Sequence, residues 1–118
     1  MKVPHIFSDS EGHSHLGEIE ILQPANGTGP TALQAVDFWE MSITDPGLSF
    51  DWQPTDRNRF LAVLTGQIDM TVSNGDVIRL SRGDMLFQAD RSGQGHMAKF
   101  VGLEPCTVLS IAMPGGFK

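Results

Sequence analysis

The segment Gln67–Leu80 constrains the fold more than any other part of the chain. Ile68, Met70 and Val72 alternate with Gln67, Asp69 and Thr71, the period of two that marks a strand with one buried and one wet face. Asn74-Gly75 follows, and Val77–Leu80 resumes the apolar pattern. An Asn-Gly pair between two such runs is a hairpin signal, because Gly accepts a positive φ that other residues avoid.

The rest of the sequence has the same character. The 118 residues include 13 Gly and 7 Pro, and the turns they make separate short runs rich in Val, Ile, Leu and Phe. Strands are predicted over Ala35–Ile43, Leu48–Gln53, Arg59–Leu64, Gln67–Ser73, Val77–Leu80, Met85–Gln88, His96–Val101 and Thr107–Ala112, with a short one at Ile19–Leu22. Asp45-Pro46-Gly47 and Gly83-Asp84 read as turns. No segment has the caps and periodicity of a long helix. Many short strands at regular spacing predict an all-β sandwich or barrel, and a closed barrel also removes exposed edges. The expected organisation is one domain. Residues 1–30 would form an irregular N-terminal arm that adds little to the core and can be deleted in part. Residues 31–118 would form the barrel.

Charge and composition narrow the partners. A net charge of −6 repels phosphate backbones, so no nucleic-acid partner is expected. No apolar run approaches a membrane span, and Met1–Ser8 lacks the pattern of a secretory leader. The single cysteine, Cys106, lies in an apolar run. It reads as a buried small hydrophobe in preference to a reactive thiol, and a cytoplasmic setting is expected.

Phe60-Leu-Ala-Val-Leu-Thr-Gly66, Asn74-Gly75, Leu80, Gly83-Asp84 and Gly93-Gln-Gly-His96 together resemble the two conserved motifs of cupins. The resemblance spans residues 47–112. It implies a double-stranded β-helix, or jelly-roll barrel, with a ligand site inside, and a homodimer formed through sheet packing. It also implies where a metal site would stand. Counting back from Gly66 with the family's spacing, Arg59 occupies the glutamate position, and Gln53 and Thr55 occupy the two histidine positions. Only His96 of the second motif is retained. Small bacterial cupins with a Trp-His pair before Pro and a Gly-x-Gly-His loop are similar here, but this chain carries Gln53 after Trp52.

No cofactor is therefore expected. A divalent transition metal would have to use His96 with Gln53, a poor ligand set beside the permanent cation of Arg59. His13 and His15, with Glu18 and Glu20 following, offer metal-binding residue types, but without the surrounding motif they read as a solvated segment. His5 has no assigned role.

The expected function is binding of a small, anionic organic molecule inside the barrel, with metal-independent isomerase, cyclase or lyase chemistry as one form of it. Arg59 would face the interior, either as a fork for a ligand carboxylate or in an ion pair with Asp51. His96 reads as a general acid–base or as a satisfied core histidine. Gln53, Asp51, Trp39 and Trp52 complete the candidate ligand-binding set, with His96 and Arg59 as the candidate catalytic pair. A metal-dependent cupin enzyme with an unusual ligand set, and a non-catalytic binding barrel, are the alternatives.

Overall fold

The computed structural model describes residues 2–20 and 23–114. They form ten strands: β1 (Lys2–Ser8), β2 (Ser14–Glu20), β3 (Phe38–Thr44), β4 (Ser49–Gln53), β5 (Arg59–Thr65), β6 (Gln67–Thr71), β7 (Val77–Leu80), β8 (Met85–Ala89), β9 (His96–Val101) and β10 (Cys106–Ala112). No helix among the described residues is long and apolar enough to cross a membrane. Six strands form one sheet in the order β2-β1-β8-β5-β10-β3, and four form a second in the order β4-β9-β6-β7.

Alternation along the central strands builds the core. On β10, Cys106, Val108, Ser110 and Ala112 are buried, while Thr107, Leu109 and Ile111 between them are half-buried. On β6, Ile68 and Met70 point inward. Leu61, Val63, Leu80 and Leu86 meet them from the neighbouring strands. Cys106 belongs to this cluster, and burial pushes its thiol pKa up, as suits an inert packing residue.

The β6–β7 hairpin forms where Asn74-Gly75 indicates, with a longer loop than a two-residue turn. Gly75 N donates to Val72 O at 2.9 Å and Val72 N to Asp76 O at 3.0 Å. Gly75 has φ +91°, whereas among the described residues no non-glycine has a positive φ. Asn74 therefore stays right-handed, and the loop is a type I turn closed by a left-handed glycine.

The structure corrects the expectation for residues 1–30. Residues 2–20 are not an irregular arm: β1 lies inside the six-stranded sheet, antiparallel to β2 and parallel to β8. Val3 and Ile6 are buried, Ile6 completely. Pro4 resembles a strand breaker, and the two buried residues stand three apart, so a search for period two misses the strand. The strand expected at Ile19–Leu22 is the end of a longer one as far as Glu20; residues 21 and 22 lie outside the described residues. The strand expected at Ala35–Ile43 begins at Phe38 and runs to Thr44.

Because Ile6 packs in the common core, Ile6→Ala is expected to cost about 3 kcal/mol. Urea unfolding measures this, and a loss near zero would mean that β1 is peripheral.

Candidate functional site

The inward faces of the two sheets enclose a cavity of about 550 Å3. Its body is apolar, lined by Leu61, Val63, Ile68, Met70, Leu80 and Val108. Polar groups gather elsewhere on its wall: Gln53, Arg59, Gln88, His96 and Ser110, with Glu40 beside them. A smaller recess of about 420 Å3 shares Gln53, Arg59, Gln88 and His96 and adds Thr55 and Asp56. These four residues thus form the common wall of both spaces.

Strand pairing explains the grouping. Gln53 on β4 pairs with His96 on β9. Arg59 on β5 pairs with Gln88 on β8. Glu40 on β3 pairs with Ser110 on β10. Residues directly opposite on antiparallel strands share a face, so each pair delivers two polar side chains to the same side.

His96 is buried and its Nδ1 lies 2.7 Å from Asp90 Oδ2, with Asp90 completely buried. A carboxylate oxygen can only accept, so Nδ1 carries the hydrogen of this contact, and in the neutral ring that leaves the lone pair on Nε2. Asp90 is fixed through its backbone, whose carbonyl accepts from Thr55 N at 3.1 Å. Its other carboxylate oxygen, Oδ1, is buried without a hydrogen-bond partner among the described residues. The pair is therefore a buried imidazole–carboxylate contact whose imidazole lies on the cavity wall.

Arg59 faces the cavity, as its place on β5 predicts, but its ion pairs differ from the expected one. Asp51 is not its partner. Arg59 Nη1 donates to Glu40 Oε1 at 2.7 Å and to Ser110 Oγ at 3.0 Å, and Nε donates to Asp56 Oδ1 at 3.2 Å. Burial works against the guanidinium charge, and the hydrogen bonds of Asp56 and Glu40 outweigh it, so the Arg59 pKa is raised; that of Asp56 is lowered, chiefly by Arg59. Two carboxylates on one guanidinium leave no net positive charge to attract an anion. Asp51 does line the cavity, while its carboxylate accepts from Trp52 N.

Neither tryptophan lines either space. Trp39 alternates with Glu40 and Ser42, which face the cavity, so it points outward and is 64% exposed. Trp52 is half-buried, out of phase with the cavity-lining Asp51 and Gln53. Period two on these strands gives the reason in both cases.

The N-terminal histidines are elsewhere. His15 Nε2 lies 2.7 Å from Asp9 Oδ2, and the Asp9 carboxylate also accepts from His13 N and Glu11 N. The His15 contact, followed by the His13 amide, lowers the Asp9 pKa to about 2. The cluster ties the β1–β2 turn. His5 lies on the outer face of the six-stranded sheet, stacked on Phe87.

The residues at the barrel site do not fit a divalent transition metal. Among the described residues no group of three His, Cys, Asp or Glu side chains is placed to hold an ion. The one histidine on the cavity wall spends Nδ1 on Asp90, and the guanidinium stands where a ligand would be needed.

Of the residues singled out from the sequence, the structure brings Asp51, Gln53, Arg59 and His96 to the cavity wall. Sequence reasoning missed Gln88, Glu40, Asp56 and Asp90. The signal for Asp90 was present, since Asp90-Arg-Ser-Gly-Gln-Gly-His96 is a glycine-bearing loop whose two ends can meet. Glu40 required the register of β3 against β10.

No protein-family model matches the chain, and no curated protein sequence matches it. Among solved structures it is similar to an uncharacterized conserved protein with a double-stranded β-helix domain from Klebsiella pneumoniae. The identity is 23%, the TM-score 0.53, and the match covers 82% of this chain and 86% of that one. An ethanolamine utilization protein Q from Salmonella typhimurium matches at 11% identity and a TM-score of 0.41, over 97% of this chain and 96% of that one. The first likeness shows the fold: two packed sheets of a double-stranded β-helix.

Proposed function

We propose that this double-stranded β-helix, a barrel of the cupin kind, binds a small neutral carbonyl compound and moves a proton on it through His96, without a metal. The observation that carries this reading is the buried His96–Asp90 pair on the wall of a largely apolar cavity. His96 Nε2 would take a proton from the carbon next to the carbonyl, and Asp90 would hold the imidazolium as it forms. Gln53 and Gln88 carry amide N–H groups suited to the carbonyl oxygen as it gains negative charge. In a β,γ-unsaturated carbonyl compound, return of the proton to the γ-carbon shifts the double bond to the α,β position and completes an isomerisation, with no redox partner needed.

The neutral ligand replaces the anionic one expected from Arg59 in isolation. Its fork is already engaged by Glu40, Asp56 and Ser110, and Asp51 adds a further carboxylate to the wall. An incoming carboxylate would have to displace Glu40 against this negative surround.

A matched pair of probes tests both parts. Methyl pentyl ketone is expected to shift the amide resonances of His96, Gln53 and Gln88 at lower concentration than hexanoate does. In deuterated water the protein should exchange the ketone's α-hydrogens, and His96→Ala should abolish the exchange. Tighter binding of hexanoate would overturn the neutral reading, and exchange that survives His96→Ala would overturn the role of His96.

A further inference from the structure

The loop between Asp90 and His96 leans on a part of the chain that lines no part of the cavity, the turn between β1 and β2. Four consecutive loop residues meet that turn. Ser8 Oγ donates to Ser92 O at 2.8 Å. Gly93 packs so closely that a Cβ on it would overlap the Gly12 backbone. Gln94 N donates to Gly12 O at 2.9 Å. Ser14 Oγ donates to Gly95 O at 2.6 Å. Ser92, Gly93 and Gln94 are exposed, whereas Ser14 and Gly95 are buried. A hydroxyl has one hydrogen, and Ser14 gives it to Gly95. The Ser14 oxygen also accepts from Ser73 N at 3.0 Å, and Ser14 N donates to Ser73 Oγ at 2.7 Å. One buried side chain thus joins β2, the segment after β6 and the peptide that links Gly95 to His96.

We propose that Ser14 is a positioning residue for His96: by holding the Gly95–His96 peptide, its hydroxyl sets the direction in which the imidazole meets Asp90 and the cavity. Three observations support this. First, Asp90 restrains the ring through one contact, at Nδ1, and its other oxygen has no hydrogen-bond partner among the described residues. One hydrogen bond fixes a distance and leaves the tilt of the ring to the backbone that carries it. Second, the strand ladder does little to fix that backbone. His96 is the first residue of β9, and its pairing with Gln53 lies beyond a break in the β4–β9 register. A register break loosens the local ladder and re-aims the side chain. Third, the Ser14 contact has no substitute. Water can replace the exposed contact of Ser8 with Ser92, but loss of the Ser14 hydroxyl leaves a buried carbonyl without its donor. The Gly95 backbone would then shift toward another partner, and His96 would follow it.

The test compares Ser14→Ala with Val3→Ala in the full chain. Val3 is buried near the opposite end of β1 from Ser8, so its truncation costs stability through lost packing and touches neither the loop nor His96. Ring-nitrogen chemical shifts of His96, read without ligand in alkaline buffer where the ring is neutral, report the tautomer of the folded protein and not its stability. Wild type and Val3→Ala are expected to show one tautomer, with the hydrogen on Nδ1, and Ser14→Ala a mixture of two. Should Ser14→Ala fail to fold, Ser14→Cys keeps the side chain's place in the core but offers only a weak donor, and the same mixture is expected. In α-hydrogen exchange of methyl pentyl ketone, Ser14→Ala should lower kcat roughly 10- to 100-fold with KM little changed. This kinetic arm alone rests on the proton-moving role proposed for His96. Wild-type protein that exchanges no ketone hydrogens would overturn that role, while the ring shifts still decide the place of Ser14. A single unchanged tautomer in the folded Ser14 variants would overturn the inference. So would the same mixture in Val3→Ala, because general loosening of the barrel would then be the cause.

Discussion

Asp90→Asn is expected to leave the barrel folded while slowing proton transfer at His96 by roughly 10^2- to 10^4-fold. The substitution keeps the shape of the side chain and removes its charge. Asp90 is completely buried, and among the described residues its one side-chain hydrogen-bond partner is His96 Nδ1. The carboxylate obliges Nδ1 to carry the hydrogen; an Asn amide can instead donate to Nδ1 and move the hydrogen to Nε2, where it blocks the lone pair facing the ligand. The same change withdraws the negative charge that stabilises imidazolium once the proton has moved. Two measurements check this. Nitrogen chemical shifts of His96 should show the tautomer change without any ligand, and α-hydrogen exchange of methyl pentyl ketone should fall by the stated factor. An unchanged exchange rate would show that the pair only packs the loop.

Gly95→Ala is expected to remove about 3–5 kcal/mol of stability, a large share of the ~5–15 kcal/mol that holds a domain of this size together. Gly95 has φ +72°, a conformation that costs an L-residue ~1–2 kcal/mol. Steric conflict adds to it, since a Cβ here would collide with the Gln53 carbonyl and the Pro54 nitrogen. Those are backbone atoms and cannot rotate away. The Gly95 carbonyl also accepts from the buried Ser14 hydroxyl at 2.6 Å, so moving the loop breaks a second buried contact. Urea unfolding reads the loss. Since Gly95 touches Gln53 and adjoins His96, ketone binding should weaken along with stability. A variant as stable as the wild type would mean that the loop can be moved at little cost.

The barrel was legible because its evidence is local. Alternation on β6 and β10, the Asn74-Gly75 loop and the Gly83-Asp84 turn each act within a few residues. Arg59, Gln53 and His96 were found because a motif spacing and strand period together fix which way a side chain points. What escaped depends on pairing between distant segments. Strand phase puts Asp51 on the face of Gln53 and so offers it as a partner for Arg59, beside a ligand carboxylate, whereas β3 and β10 bring Glu40 and Ser110 to Arg59 and the turn before β5 brings Asp56. Trp39 was counted toward the pocket for its chemistry alone, but its phase on β3 sends it outward. β1 was missed because its inward residues do not alternate and its strand neighbour β8 lies near the other end of the chain.

That last placement governs how the chain acquires its fold. His5 pairs with Phe87, so β1 has no seat until β8 is available. The β1–β2 hairpin can close early, but Val3 and Ile6 stay in water until β8 arrives. The loop that must then be closed spans most of the chain, and its entropy is lost before any core contact of β1 is gained. Docking of β1 is consequently a late step in the folding of this barrel. Until β1 docks, Val3 and Ile6 and the open edge of β8 stay exposed, which makes that incomplete barrel the form most open to misassembly.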